Sequence, residues 1–326
     1  MDVRYVIRLM QRMRVRRAPV DDGGEVAGMH GGVVDRKRAK AIVAALTLVV
    51  GLVIGCTPKK GETFRHDLDS QATPWTHQEF DDAEEKWTFA IFGDLTGGER
   101  DQVFEVAVAQ MNLLRPELII NVGDLVEGAT DDVAELHRQW DSFDRRAREA
   151  RAPLFYVGGN HDLTGEVLRQ VGMEAFAATE YARMPERTSG TVGAEQAAYF
   201  RRVIADNADV RWTFVFTHKP AWQRDGEKEF ASIESELLDR PYTVFYGHTH
   251  VYGYSQRNGR DYINLATTGG EQFPEKGRSM DHLMLVTVDG SGVSMANLLM
   301  AGILDKKGRT PLGLDPRVFE HRPDEG

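Results

Sequence analysis

The sequence predicts an α/β protein in which two packed sheets are flanked by helices. Two patterns carry that expectation. From Trp87 onward, apolar strand-like runs alternate with amphipathic helical runs, which implies parallel pairing with both sheet faces covered. After Gly247 the pattern changes to two antiparallel hairpins. A third observation says where the chemistry should sit. Five apolar runs end in residues of metal-ligand type: Phe92-Gly93-Asp94, Val122-Gly123-Asp124, Val157-Gly158-Gly159-Asn160-His161-Asp162, Phe216-Thr217-His218 and Tyr246-Gly247-His248-Thr249-His250. Open α/β sheets carry ligands just past the carboxyl ends of their strands, and glycine lets the chain turn there and approach a ligand closely.

The elements follow in order. A first strand ends at Asp94. A helix over residues 101–114 would bury Phe104, Ala107, Val108, Met111 and Leu114, and Pro116 stops it. The second strand is 118–122. A second helix starts at Thr130 or Asp131 as N-cap and turns Val133, Leu136, Trp140, Phe143 and Ala147 inward. The third strand, 153–157, runs into Asn160. Residues 163–192 give no readable pattern. Helix 194–207, strand 211–216 and helix 227–238 follow, the last with Phe230, Ile233 and Leu237 inward. Asn258-Gly259 marks the tight turn of the first hairpin, and 289–292 the loop of the second. Residues 305–326 are rich in Pro, Gly and charge and read as a tail that wraps the surface or stays disordered.

Composition bounds the function. The chain has 326 residues, with 40 basic and 50 acidic side chains. The first 55 positions hold 10 and 5 of these, which leaves 30 against 45 in the rest. So acidic a body is a poor binder of polyanions, and no nucleic-acid groove is expected. Cys56 is the single cysteine, so no disulfide can form within the chain.

The setting of that cysteine is informative. A basic cluster, Arg36-Lys37-Arg38-Ala39-Lys40, precedes an apolar or small-residue run over 41–55. The run is shorter than the ~20 residues of a membrane-spanning helix and suits a signal-peptide core. It ends Leu52-Val53-Ile54-Gly55-Cys56, which resembles a bacterial lipobox with Cys56 as the lipid acceptor. Residues 1–28 do not fit a signal peptide, so translation is expected to start at Met29 or the leader to be unusually long. The organisation expected is therefore leader and lipoprotein signal peptide over 1–55, polar tether over 56–86, a folded α/β domain over 87–304 and tail over 305–326. The product would sit on the cell envelope, facing the periplasm or outer membrane in a Gram-negative cell.

Gly93-Asp94, Gly123-Asp124, Gly159-Asn160-His161-Asp162, Thr217-His218 and Gly247-His248-Thr249-His250 stand in the order of the motifs of calcineurin-like metallophosphoesterases. From Trp87 to Leu304 the chain resembles that family. The resemblance implies a four-layer αββα sandwich with a dinuclear metal site at the strand ends. Two divalent or trivalent ions (Mn, Fe or Zn) would be held there, and a hydroxide bridging them would hydrolyse a phosphomonoester or phosphodiester. It implies that Asp124 bridges, that Asp94 and His250 serve one metal, and that Asn160, His218 and His248 serve the other. His161 would face the substrate as proton donor, and Asp162 would hold an imidazole in place. Carboxylate, imidazole and amide oxygen together suit such ions, and two of them clamp a phosphate.

Two departures from the family pattern stand out. The first motif normally reads Asp-x-His, and here the third position is Thr96. The purple acid phosphatase branch fills that gap with a Tyr three residues after the second Asp, where this chain has Glu127. Glu127 or a water is therefore expected to complete the first site, with Glu99 a weaker candidate. The second departure is the short polar interval 163–192, where relatives carry a strand pair. These departures motivate an alternative reading: a weakly active or inactive metal-binding or interaction protein on the same fold.

Overall fold

The computed structural model describes residues 86–163, 190–289 and 292–303, with positions 76, 165, 167, 170, 171, 305, 310–313 and 319 besides. The leader, Cys56, nearly all of the tether and most of the interval 163–192 lie outside the described residues, and with them the expectations made there.

Among the described residues, nine strands form two sheets. The first is ordered β3 (Leu154–Phe155), β2 (Leu118–Asn121), β1 (Trp87–Phe92), β8 (His282–Asp289), β9 (Gly292–Leu299). The second is ordered β4 (Thr213–Phe216), β5 (Tyr242–Tyr246), β7 (Arg260–Asn264), β6 (Gly253–Arg257). Strands β1, β2 and β3 are parallel, as are β4, β5 and β7, while β8, β9 and β6 run antiparallel to their neighbours. Both sheets are thus mixed, as expected. The ends of β1, β2, β4 and β5 deliver Asp94, Asp124, His218 and the His248–His250 pair.

Alternation along the strands builds the layers. On β1, Phe89 faces the second sheet, its ring 4.9 Å from Phe214 and 6.2 Å from Phe216. Phe92 faces the other way, 5.5 Å from Phe104 of helix α1 (Val103–Leu114). Phe104 in turn stacks on Phe143 of α2 (Val133–Ala147) at 5.7 Å. On β5, Phe245 joins the inter-sheet core, while Tyr242, Val244 and Tyr246 face outward. There they meet Ala197 and Ile204 of α4 (Ala194–Ala205) and Phe230, Ile233 and Leu237 of α5 (Glu229–Leu237). The one-turn helix α3 (Asn160–Leu163) carries the Asn-His-Asp motif.

Several local expectations shift. The cap of α2 is Asp132, whose carboxylate accepts from the N–H groups of Ala134 and Glu135. Starting the helix there places Val133 in the first turn facing solvent, 46% exposed, instead of in the core. The second hairpin is tighter than the sequence suggests, since Asp289 and Gly292 pair in the ladder. In the first hairpin Asn258 and Gly259 both have positive φ (54° and 68°), as the mirror-image turn requires. The tail is not wholly superficial: Phe319 is buried in the main core and Pro311 is buried too.

At the start of β8, His282 is buried. Its Nδ1–H donates to Asn297 Oδ1 (2.7 Å) and its Nε2 accepts from the Ala266 N–H (2.9 Å). Burial holds this imidazole down at about 4, so it is neutral near pH 7.

Two predictions follow from the packing. Phe89→Ala should cost about 3–5 kcal/mol in urea denaturation, because it opens a cavity between the sheets. Val133→Ala, on the exposed turn, should change stability by no more than about 0.5 kcal/mol. His282 gives a pH signature. Its folded pKa lies below its unfolded one, so the unfolded chain takes up the proton first, and the stability it contributes is lost as pH falls from about 6.5 toward 4. Burial raises Asp281 to about 6, which acts in the opposite sense, so the effect must be read as a difference. The stability advantage of the native chain over His282→Gln should shrink by about 3 kcal/mol across that window. A pH-independent difference would contradict this.

Candidate metal centre

Each strand-end motif needs small neighbours and a turned backbone. Asp94, Asp124, His248 and His250 all have positive φ, between 49° and 78°. Non-glycine residues there cost on the order of 1–3 kcal/mol each and persist where the surroundings enforce them. The glycines beside them leave room for ligands from other strands. A Cβ on Gly159 would lie 2.1 Å from Asp124 Oδ1, and one on Gly247 would lie 2.2 Å from Asp94 Oδ2.

The side chains converge in two groups that share Asp124. Donor atoms of Asp94, Asp124 and His250 lie within 4.8 Å of one another, and so do those of Asp124, His218 and His248. Asn160 joins the second group, its Oδ1 3.0 Å from His218 Nε2. His218 Nε2 is 3.2 Å from Asp124 Oδ2, and His250 Nε2 is 3.6 Å from Asp94 Oδ1. Backbone carbonyls fix the tautomers. His218 Nδ1 meets Val122 O (3.0 Å) and His250 Nδ1 meets Glu271 O (2.6 Å). A carbonyl only accepts, so each Nδ1 carries the hydrogen, and Nε2 is the atom aimed at the cluster.

Electrostatics test whether the donor set fits a cation. Burial opposes charge on both His218 and Asp124, yet each stabilises the other. Asp124 holds the imidazole up at about 9, and His218 holds the carboxyl down at about 2. Burial, with His218 beside it, pushes His248 down to about 4, so it is neutral with a lone pair to offer. Burial raises Asp94 well above the usual carboxylate range. Its Oδ1 accepts from the His248 N–H (2.8 Å), but its Oδ2 is buried without a hydrogen-bond partner among the described residues. A buried, unsatisfied carboxylate oxygen costs several kcal/mol. A cation at that point removes the cost, so the donor set fits the two metal ions expected.

His161 stands apart from both groups. Its Nδ1–H donates to Glu127 O (2.8 Å), and its side chain is 28% exposed. A Cβ on Gly97 would lie 3.4 Å from His161 Nε2 and 3.1 Å from His250 Nε2, so both atoms face the space that this glycine leaves open.

One expectation is corrected. Asp162 does not hold an imidazole. Its oxygens accept from the backbone N–H groups of Gly159 (2.7 Å), Asp124 (2.9 Å), Leu125 (2.8 Å) and Val126 (3.1 Å). It is a buried clamp on the loop that presents Asp124, because those amides have no strand partner past the end of β2. Glu127, expected with a water as the alternative to complete the first site, has backbone partners. Its carboxylate accepts from the N–H groups of Gly97 (3.1 Å) and Gly98 (3.2 Å), and Glu99 pairs with Arg146. Thr96 is buried and donates its hydroxyl to Val126 O (2.8 Å). Among the described residues no further His, Cys, Asp or Glu joins either group.

The sequence reading missed one segment altogether. The loop 267–272 places the Thr267 hydroxyl and the N–H groups of Thr268 and Gly270 on Asp94 O, and Glu271 O on His250. Its signal was there to find: Thr267-Thr268-Gly269-Gly270 is another polar, glycine-marked ending to an apolar strand.

Residues 88–252, half of the chain, match the sequence model of the calcineurin-like phosphoesterase family. No curated protein sequence matches. Similar solved structures include a dimetal phosphatase from Danio rerio (14% identity, 65% of this chain and 96% of that one covered, TM-score 0.47). Another is GAP50, the anchor in the inner membrane complex of Plasmodium (12%, 70% and 87%, TM-score 0.49). A third is the purple acid phosphatase PPD1 from yellow lupin, Lupinus luteus, seeds (15%, 65% and 51%, TM-score 0.47). The assignment rests on the sequence match together with the ordered strand-end motifs: the chain belongs to the calcineurin-like phosphoesterase family.

Proposed function

We propose that the chain is a metal-dependent hydrolase of a small phosphomonoester or phosphodiester. The observation that carries this reading is the sharing of Asp124 between two donor groups beneath a partly exposed imidazole. Asp124 would bridge two ions, Asp94 and His250 would hold one, and Asn160, His218 and His248 the other. Two such ions acidify a water and neutralise phosphate charge.

The rest of the work falls to the chain. Asp162 keeps the Asp124 loop in place through three of its N–H groups and ties it to Gly159 through a fourth. The Glu127 carbonyl fixes the ring of His161, which leaves Nε2 facing the open space beside Gly97. A proton held there passes to the departing alkoxide. Gly97 and Gly98, pinned by the Glu127 carboxylate, form a wall without side chains, so a phosphate can approach.

A second reading, a metal-binding or interaction protein without turnover, draws on Thr96, whose hydroxyl is turned to Val126 O and leaves one group with three donors. It predicts bound metal and no hydrolysis. Assays of p-nitrophenyl phosphate and its bis ester with added Mn²⁺ at several pH values separate the two.

We also propose that lipid on Cys56 anchors the protein to the cell envelope. The basic cluster, the apolar run and the lipobox-like ending support this. Among the described residues, no helix is long and apolar enough to cross a membrane.

Three outcomes are expected. His161→Ala should keep its metal content while turnover falls ~10²–10⁴-fold; loss of metal instead would place His161 among the ligands. Asp124→Asn should lose at least one ion and nearly all activity, and two retained ions would argue against bridging. Cys56→Ser should take up no radioactive palmitate and keep its catalysis. A native chain that takes up no label, or whose mature N-terminus lies elsewhere, would end the anchoring proposal.

A further inference from the structure

Behind the donor groups lies a second buried network that no part of the proposed mechanism uses. Asp281 sits at its centre, its side chain fully buried. Its Oδ1 accepts from Arg100 Nη2 (2.5 Å) and from the Gly269 N–H (3.1 Å), and its Oδ2 accepts from Gln272 Nε2 (3.1 Å). Arg100 grips the same loop by its backbone N–H, which donates to Gly269 O (2.7 Å), and by Nε, which donates to Gly270 O (3.1 Å). Together these groups fix both ends of the segment 269–272.

That segment in turn touches two candidate ligands and both in the same group. Glu271 O holds His250 Nδ1 (2.6 Å), and Gly270 N donates to Asp94 O (3.0 Å). The Thr267 hydroxyl bonds both Asp94 O (2.9 Å) and Gly270 O (3.1 Å), which ties the two contacts together. The His218 and His248 group gets its support elsewhere. The carbonyl of Val122 orients His218, and Asp162 clamps the Asp124 loop.

We infer that Arg100, Asp281 and Gln272 are positioning residues for one half of the centre, the Asp94–His250 half, and set its affinity for metal through the Glu271 carbonyl. This half offers three donor groups, Asp94, Asp124 and His250. Each of them therefore counts for more than in the other half, where Asn160 makes a fourth. The inference rests on the metal-binding reading above.

The test is Mn²⁺ binding alone, without substrate. Metal-depleted protein is titrated with Mn²⁺, and the ions retained per chain are counted after gel filtration. The native chain should hold two. Asp281→Asn keeps the shape but loses the charge facing Arg100, and its amide cannot accept on both sides. It should hold one ion with unchanged affinity, the second weakening at least about tenfold, as outer-shell changes do. The double variant Asp281→Asn, Gln272→Glu returns a carboxylate to the trio and should recover most of the lost affinity. Arg100→Gln, at a side chain 24% exposed, serves as a second route should Asp281→Asn not fold.

A folded variant that melts at lower temperature yet binds two ions normally would overturn the proposal and make the network merely structural. So would equal weakening of both ions. A native chain that takes up no Mn²⁺ would overturn the proposed function along with this inference.

Discussion

The strand-end site depends on one carboxylate that must serve two neighbours at once. Asp124 is almost wholly buried, with one oxygen on the His161 N–H (2.9 Å) and the other on His218 Nε2 (3.2 Å). A lone buried carboxylate would be several kcal/mol too expensive. Three buried acids here are compensated to different degrees. Asp162 has four N–H donors, Asp124 has an imidazole and an amide, and Asp94 has one amide and an oxygen with no hydrogen-bond partner among the described residues. The shortfall is greatest at Asp94, beside the shared Asp124. A cation there is the cheapest way for the fold to carry this much buried negative charge.

The two sheets exist, in functional terms, to bring those groups together. Asp94 and Asp124 come from the first sheet, and His218, His248 and His250 from the second. The seam between them is aromatic, with Phe89 wedged against Phe214 and Phe216. Dense packing transmits position well, so a shift between sheets would move carboxylates relative to imidazoles. Close approach also explains the glycines: any side chain at Gly159 or Gly247 would occupy the place of a ligand oxygen.

Much of this was legible in the sequence because apolar runs end in polar side chains of metal-ligand type, four of the five through glycine, and that pattern is local. Parallel pairing in the first half and the switch to hairpins follow from it, while the grouping of Asp94, Asp124, Asn160, His218, His248 and His250 was implied by the order of the motifs in the family resemblance. What escaped depends on partners that a sequence does not display. Asp162 looks like the third member of an Asn-His-Asp motif, but its partners are backbone amides of a loop nearly forty residues away. Glu127 stands where a ligand would help, and its carboxylate accepts from the Gly97 and Gly98 amides. The loop 267–272 carries no titratable side chain in contact with the cluster, and its contribution is made by carbonyls and amides. Val133 fits a helical stripe by spacing and is exposed because the cap at Asp132 puts it in the first turn.

The central claim is that these donors hold two ions sharing Asp124. Anomalous diffraction from a crystal of the full domain grown with Mn²⁺ tests it most directly. The account predicts two peaks about 3.5–4 Å apart, with Asp124 between them, Asp94 and His250 beside one, and Asn160, His218 and His248 beside the other. A single peak, or two peaks with Asp124 turned away from either, would contradict it.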